Sequence, residues 1–222
     1  MKDVGLFDVI GPWMVGPSSS HTAGACQLSY TARKIFKDDP ETVRFVLYGS
    51  FANTYRGHGT DRALLGGIMG FQTFDPRIKN SFLIAKERGI AFSFVEEHEA
   101  KPAHPNTVDI TMTGSGGTHL LNLTGVSVGG GKIRITRLDG IDVNFTGEHP
   151  SLIITHRYIP GVISYFTGIL GDARVNIVSM HCYLDAKGET AYSIIESDQL
   201  LSDEVIADIA CNKLILKTTV IQ

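Results

Sequence analysis

The chain has 222 residues, of which 43% are hydrophobic and 19% charged, with a formal net charge of -3. That length suits one large domain or two small ones with real cores, and the composition excludes an intrinsically disordered chain. The slight acidic excess argues against nucleic acid as a partner, and no run approaches the roughly 18 uninterrupted apolar residues of a membrane-spanning helix.

The N-terminal stretch "MKDVGLFDVIGPW" carries Asp3 and Asp8 and lacks the apolar centre of a signal peptide, so a cytoplasmic location is the default expectation. The run "GPSSSHTAGA", Gly16 to Ala25, places Ser18, Ser19, Ser20, His21 and Thr22 before apolar Ala25, Leu28, Ala32 and Ile35. That repeat predicts a helix over 21–36 with the polar run at its start. Amide groups at a helix start point outward unpaired, and the helix dipole makes that end mildly positive. Hydroxyls add rotatable donors, so the run suits a carboxylate or phosphate. A plain helix cap behind a polar loop is the competing reading.

"TVRFVLYGSF" reads as a strand, and "TDRALLGGIMGF" as a helix capped by Thr60 or Asp61. His58 reads as lying in a loop that also carries Arg56 and Asp61, with Asn53, Arg56 and Thr60 as further polar contacts. His58 sits between Gly57 and Gly59, which lets backbone approach a ligand, and its imidazole suits proton transfer near neutral pH. Asn53 could add a polar contact, and the competing reading is a solvated surface histidine. "DPRIKNSFLIAKERG" reads as a helix entered at Asp75-Pro76 and ended by Gly89. "AFSFVEE" and "NTVDITMTG" read as strands, and "THLLNLTGVSVGGGKIRITRLDG" as a hairpin around Gly129 to Gly131. His98 and His104, in "EEHEAKPAHPNT", read as a solvated loop in preference to a metal site. "TGSGGTH" is no dinucleotide fingerprint, because strand-like sequence follows it. There is no GxxxxGK[ST] phosphate loop either.

A composition break near Thr146 to Pro150 divides the chain into 1–147 and 148–222. The second part reads in order as strand "SLIITHRYI", helix "VISYFTGILGDAR", a hairpin of "VNIVSMHCYLD" and "TAYSIIESD", helix "SDEVIADIACNKL" and strand "LILKTTVIQ". That is the β-α-β-β-α-β, ferredoxin-like plan. Pro160, Gly161 and Val162 join its first strand to its first helix, where a small amino acid could bind or a plain connection could stand. The three cysteines, Cys26, Cys182 and Cys211, are scattered and form no CxxC pair. They read as buried thiols in a reducing compartment, with no metal site in this chain.

Two motifs together, "GPSSSHTAGA" and "GSFANTYRGHGTDRALLGG", resemble the β-subunit family of bacterial iron–sulfur L-serine dehydratases in their two-chain form. The second part resembles an ACT domain. The resemblance implies an α+β protein: a mixed α/β serine dehydratase β domain, similar to the allosteric substrate-binding domain of some phosphoglycerate dehydrogenases, followed by the ferredoxin-like module. It implies conversion of L-serine to pyruvate and ammonia on a [4Fe–4S] cluster held by a partner α subunit, without pyridoxal phosphate. It gives His58 a proton-transfer role and gives Ser18, Ser19, Ser20, His21 and Thr22 to the substrate. It also implies homodimerisation through the ACT module. Two other readings compete: an amino-acid-sensing regulatory subunit, and a scaffold whose motifs are only caps and loops.

Overall fold

The computed structural model describes residues 13–221, so the N-terminal reading at Asp3 and Asp8 lies outside the described residues. Packing divides the chain into two units, Met1–Thr146 and Gly147–Gln222. Both mix helices and strands, giving the α+β class expected. No helix among the described residues is long and apolar enough to cross a membrane.

The first unit is built on a six-stranded sheet. Its strands are β1 (Pro40–Tyr48), β2 (Ala91–Glu97), β3 (Thr107–Gly114), β4 (His119–Gly129), β5 (Lys132–Leu138) and β6 (Ile141–Phe145), in the spatial order β2-β1-β3-β4-β5-β6. The pair β1–β2 is parallel and the rest are antiparallel. Alternation sends Val43, Phe45 and Leu47 of β1 and Val108, Ile110 and Met112 of β3 into the core. Helices α1 (Gly24–Phe36), α2 (Gly49–His58) and α3 (Thr60–Ile68) supply the other half of that core. A 3₁₀ turn, Pro76–Asn80, leads into the short α4 (Ser81–Glu87). Helices α1 and α3 approach so closely that a Cβ on Gly67 would stand 2.4 Å from the Cys26 carbonyl oxygen.

The second unit runs β7 (Ser151–Arg157), α5 (Val162–Asp172), β8 (Ile177–Leu184), β9 (Thr190–Ser197), α6 (Asp203–Ala210) and β10 (Ile215–Ile221). Its sheet order is β10-β7-β9-β8, antiparallel throughout. Leu152, Ile154 and Ile195 meet Phe166, Leu170 and Ile209 in one core. Each such buried side chain contributes about 1.5–3 kcal/mol. This is the ferredoxin-like order expected.

Two expectations need correcting. The segment expected to be a loop around His58 is helical, as α2. Phe51, Ala52 and Tyr55 recur at helical spacing and are buried, and that burial outweighs the helix cost of Gly57. The cysteines are not uniformly buried. Cys26 is, but Cys182 on β8 and Cys211 at the end of α6 are exposed.

Candidate functional site

The serine run does not open as an ordinary α-helix. Ser19–Ala23 form a π-helical turn that feeds directly into α1. Ala23 N–H reaches back to the Ser18 carbonyl at 3.3 Å, and Gly24 N–H reaches that of Ser19. The wider turn inserts a residue and re-aims its side chains. Close packing holds it in place. Gly16, at φ 138°, passes so near Thr22 that a Cβ there would meet its Cγ2 at 2.4 Å. Gly24 lies equally tight against Ser127.

His21 is the hub of this turn. Its backbone N–H donates to Ser18 Oγ at 3.0 Å. Its Nδ1 lies 3.0 Å from Ser20 Oγ and its Nε2 lies 2.9 Å from Ser50 Oγ. Its ring meets Phe51 edge-on at 5.3 Å between centroids. Burial first, and the neighbouring His58 second, hold its pKa below the ordinary 6.5. The ring is therefore neutral at pH 7, with both nitrogens engaged by hydroxyls.

His58 is the last residue of α2 and stands 4.9 Å from His21, ring centroid to ring centroid. Its Nδ1 donates to the Thr54 carbonyl at 3.3 Å. A carbonyl can only accept, so Nδ1 carries the ring proton and Nε2 keeps a lone pair. Gly59, at φ 66°, ends α2 in the left-handed conformation that glycine tolerates best. Thr22 Oγ1 donates to the His58 carbonyl at 3.0 Å, so the serine run caps the helix that bears His58. The start of α2 is pinned by Ser50 N–H donating to the Pro105 carbonyl at 2.7 Å.

A cavity of about 540 Å³ borders this cluster. Thr22, Arg56, His58, Asp61, Arg62 and Lys79 are among its lining residues. It reaches His58 and Thr22 but not His21 or Ser50, so the polar cluster extends beyond it. Three cations against one carboxylate favour an anionic guest. Burial holds the Asp61 carboxyl above its usual range, with the Arg62 N–H at 2.7 Å opposing.

Thus Ser18, Ser20, His21, Thr22 and His58 come together, with Ser19 in the same turn. Asn53 does not join them; it is exposed on α2 and does not line the cavity. In the second unit Pro160 and Gly161 are exposed and Val162 is buried, with Gly161 at φ 92° opening α5. The sequence reading missed Ser50 and Thr54. Read as a helix, "GSFANTYRGH" would have shown Ser50, Thr54 and His58 four residues apart on one face.

Cys26 does not fit the part of a cluster ligand. Burial pushes Cys26 up to about 12, and its Sγ donates to the Phe71 carbonyl at 3.3 Å. Cluster ligands must be thiolates, which such a site disfavours. Among the described residues, no group of three or more His, Cys, Asp or Glu side chains is placed to hold a metal ion.

Fold and site together define a two-unit α+β protein with an imidazole and hydroxyl cluster beside a cationic cavity. Residues 6–88 match the family model for the serine dehydratase beta chain. The chain is 43% identical to a probable L-serine dehydratase beta chain of Bacillus subtilis, over 95% of this chain and 94% of that protein. It is 40% identical to the L-serine dehydratase beta chain of Peptoniphilus asaccharolyticus, over 92% of each. It also matches a D-3-phosphoglycerate dehydrogenase of Bacillus subtilis, at 28% identity over 67% of this chain and 28% of that protein. The chain belongs to the serine dehydratase beta-chain family.

Proposed function

We propose that this chain is the β half of an L-serine ammonia-lyase that yields pyruvate and ammonia, working with an α subunit that carries the [4Fe–4S] cluster. The observation that carries this reading is the junction of the two motifs: Thr22 caps His58, and His21 stands ring to ring with it. A chain used only as a scaffold has no need to bring those polar groups together. His58 Nε2, with its lone pair, takes the α-proton of serine. Arg56, Arg62 and Lys79 draw the substrate carboxylate toward the cavity. Ser18, Ser19, Ser20, His21, Thr22 and Asn53 are the residues proposed to bind the substrate; of these Thr22 lines the cavity, and Asn53 stands apart from the cluster.

The second unit is read as an ACT domain, with Pro160, Gly161 and Val162 as its ligand loop and its sheet and helices as a surface for pairing. The free thiols suit a reducing compartment, so the cytoplasm is the proposed location. A purely amino-acid-sensing role is the weaker reading, because the relatives that span the chain are dehydratase beta chains.

The test mixes the chain anaerobically with its cluster-bearing partner, adds L-serine and follows pyruvate, with each chain alone as control. Pyruvate from the mixture alone is expected, and His58→Ala abolishes it while leaving the circular dichroism spectrum unchanged. A partner that is fully active alone makes this chain regulatory, and unchanged turnover in His58→Ala removes His58 from the chemistry.

A further inference from the structure

Arg56, Arg62 and Lys79 all line the cavity beside His58, but they are held differently. Arg62 spends Nη1 on the Lys79 carbonyl at 3.2 Å, and Lys79 is a point charge on a flexible stem. Arg56 is gripped from behind. Its Nε lies 2.9 Å from the Tyr55 hydroxyl, which lies 3.0 Å from Glu96 Oε1. The Tyr55 hydrogen bond first, and His98 second, hold the Glu96 carboxyl below its usual range, so it is ionised at neutral pH. Chemistry then fixes both directions, because a guanidinium only donates and a carboxylate only accepts. Arg56 Nε–H donates to Tyr55 Oη, and Tyr55 gives its one hydroxyl hydrogen to Glu96. Arg56 Nη2 adds an ion pair to the same Glu96 oxygen at 3.5 Å. The other Glu96 oxygen lies 3.4 Å from His98 Nε2.

Tyr55 is 6% exposed, and its ring stacks on Phe94, which stacks in turn on Phe45 in the sheet core. Burial first, and the bond to Glu96 second, hold its pKa above the ordinary 10, so the hydroxyl keeps its hydrogen. That hydroxyl is a fixed point holding a guanidinium that is otherwise exposed. Nε and Nη2 form one edge of the guanidinium, and Tyr55 and Glu96 occupy it. Among the described residues Nη1 carries no hydrogen bond, so the end of the fork, where a carboxylate docks with two parallel bonds, is open. We infer that Tyr55 and Glu96 are positioning residues that aim Arg56, and that Arg56 is the cation that takes the substrate carboxylate as a bidentate pair. This rests on the dehydratase reading above. Neither Tyr55 nor Glu96 lines the cavity, so both act through Arg56, which does. A guanidinium already held in place loses less freedom when substrate arrives, so the pair acts on affinity and not on the chemical step. His58 follows two residues later on α2 and lines the same cavity, so one helix end supplies both the fork and the base.

The test uses the complex reconstituted with the cluster-bearing partner. Tyr55→Phe keeps the buried ring and removes only the hydroxyl. It is expected to raise KM for L-serine roughly fivefold, with kcat held within about threefold. Arg56→Lys keeps the charge but loses the fork, and is expected to raise KM at least as much. In the Arg56→Lys background, Tyr55→Phe is expected to change KM by less than about twofold, because the hydroxyl then has no guanidinium to hold. If Tyr55→Phe does not fold, Glu96→Ala releases the same pair from its exposed end, with the same rise in KM and the same silence beside Arg56→Lys. An unchanged KM in the variant measured overturns the inference. A full effect in the Arg56→Lys background overturns it too, since the hydroxyl would then act through some other group. A mixture that makes no pyruvate with the unaltered chain sinks the dehydratase reading and the Arg56 contact with it, whereas an active mixture whose KM ignores Tyr55 sinks the inference alone.

Discussion

Replacing Gly67 by alanine tests how tightly the site is held from behind. Alanine is ordinarily the better helix former, by about 1 kcal/mol. Here its Cβ would stand 2.1 Å from Ser29 Oγ, 2.4 Å from the Cys26 carbonyl oxygen and 2.7 Å from Tyr30 N. Ser29 Oγ is itself tied to the Ala25 and Cys26 carbonyls at 3.1 Å, and the other two atoms are backbone. To bring the carbonyl contact to the ordinary 3.4 Å, α1 and α3 must part by about 1 Å. Overpacking of this kind costs about 1–3 kcal/mol, and a clash with backbone belongs at the upper end. With the gain in propensity subtracted, the net loss is about 2 kcal/mol. In a domain of this size that lowers the unfolding midpoint by roughly 4–8 °C. Scanning calorimetry measures it. Gly168→Ala is the matched control, because a Cβ there meets nothing within 4 Å, and it is expected to raise stability by up to about 1 kcal/mol. A Gly67→Ala protein that melts as high as the parent would refute the packing argument.

Three further outcomes are expected. Ellman's reagent at pH 8 labels Cys182 and Cys211 quickly, and Cys26 only after denaturation, because Cys26 is 1% exposed and its thiol is pushed up to about 12; rapid reaction at all three positions contradicts this. Acidification from pH 7.5 to about 5.5 weakens the fold through His21. Its folded pKa lies below the ordinary 6.5, so in that window the unfolded chain binds more protons and stability falls with pH; urea titrations are expected to show a smaller pH dependence in His21→Gln. Ser202 caps α6 by accepting from Val205 N–H, so Ser202→Ala is expected to cost about 1 kcal/mol; an unchanged melting midpoint rules out the cap.

The second unit was legible because each of its segments agrees with its own period. "SLIITHR" and "TAYSIIES" are rich in β-branched residues, and Val162, Phe166 and Leu170 recur at four-residue spacing between them. The first unit was harder to read where tertiary contacts overrule local preference. α2 contains Gly49 and Gly57 and has no acidic residue in its first turn, so its glycines read as a loop; the helical spacing of Phe51, Ala52 and Tyr55, and their burial, overrule that preference. The short strand β6 was not read, since only Val143 and Phe145 along it are buried. The π-turn at Ser19–Ala23 depends on Gly16 and Ser127, which lie outside it, and no window confined to the run contains both. The same limit hid Ser50, whose side-chain hydrogen-bond partner, His21, is distant in sequence.

The place of β1 in its sheet bears on how the protein is made. β1 lies between β2 and β3, both of which come later in the chain. Synthesis proceeds at roughly 5–20 residues per second, so several seconds separate the emergence of His58 from that of the end of β3. During that interval Phe45 and Leu47 have no completed sheet beside them, and the serine run with its histidines waits on an unflanked strand. The serine run and its histidines are thus made before either strand that flanks β1, and a nascent chain stalled between His58 and Gly114 carries them beside an incomplete sheet, with the apolar face of β1 open to aggregation and to chaperones.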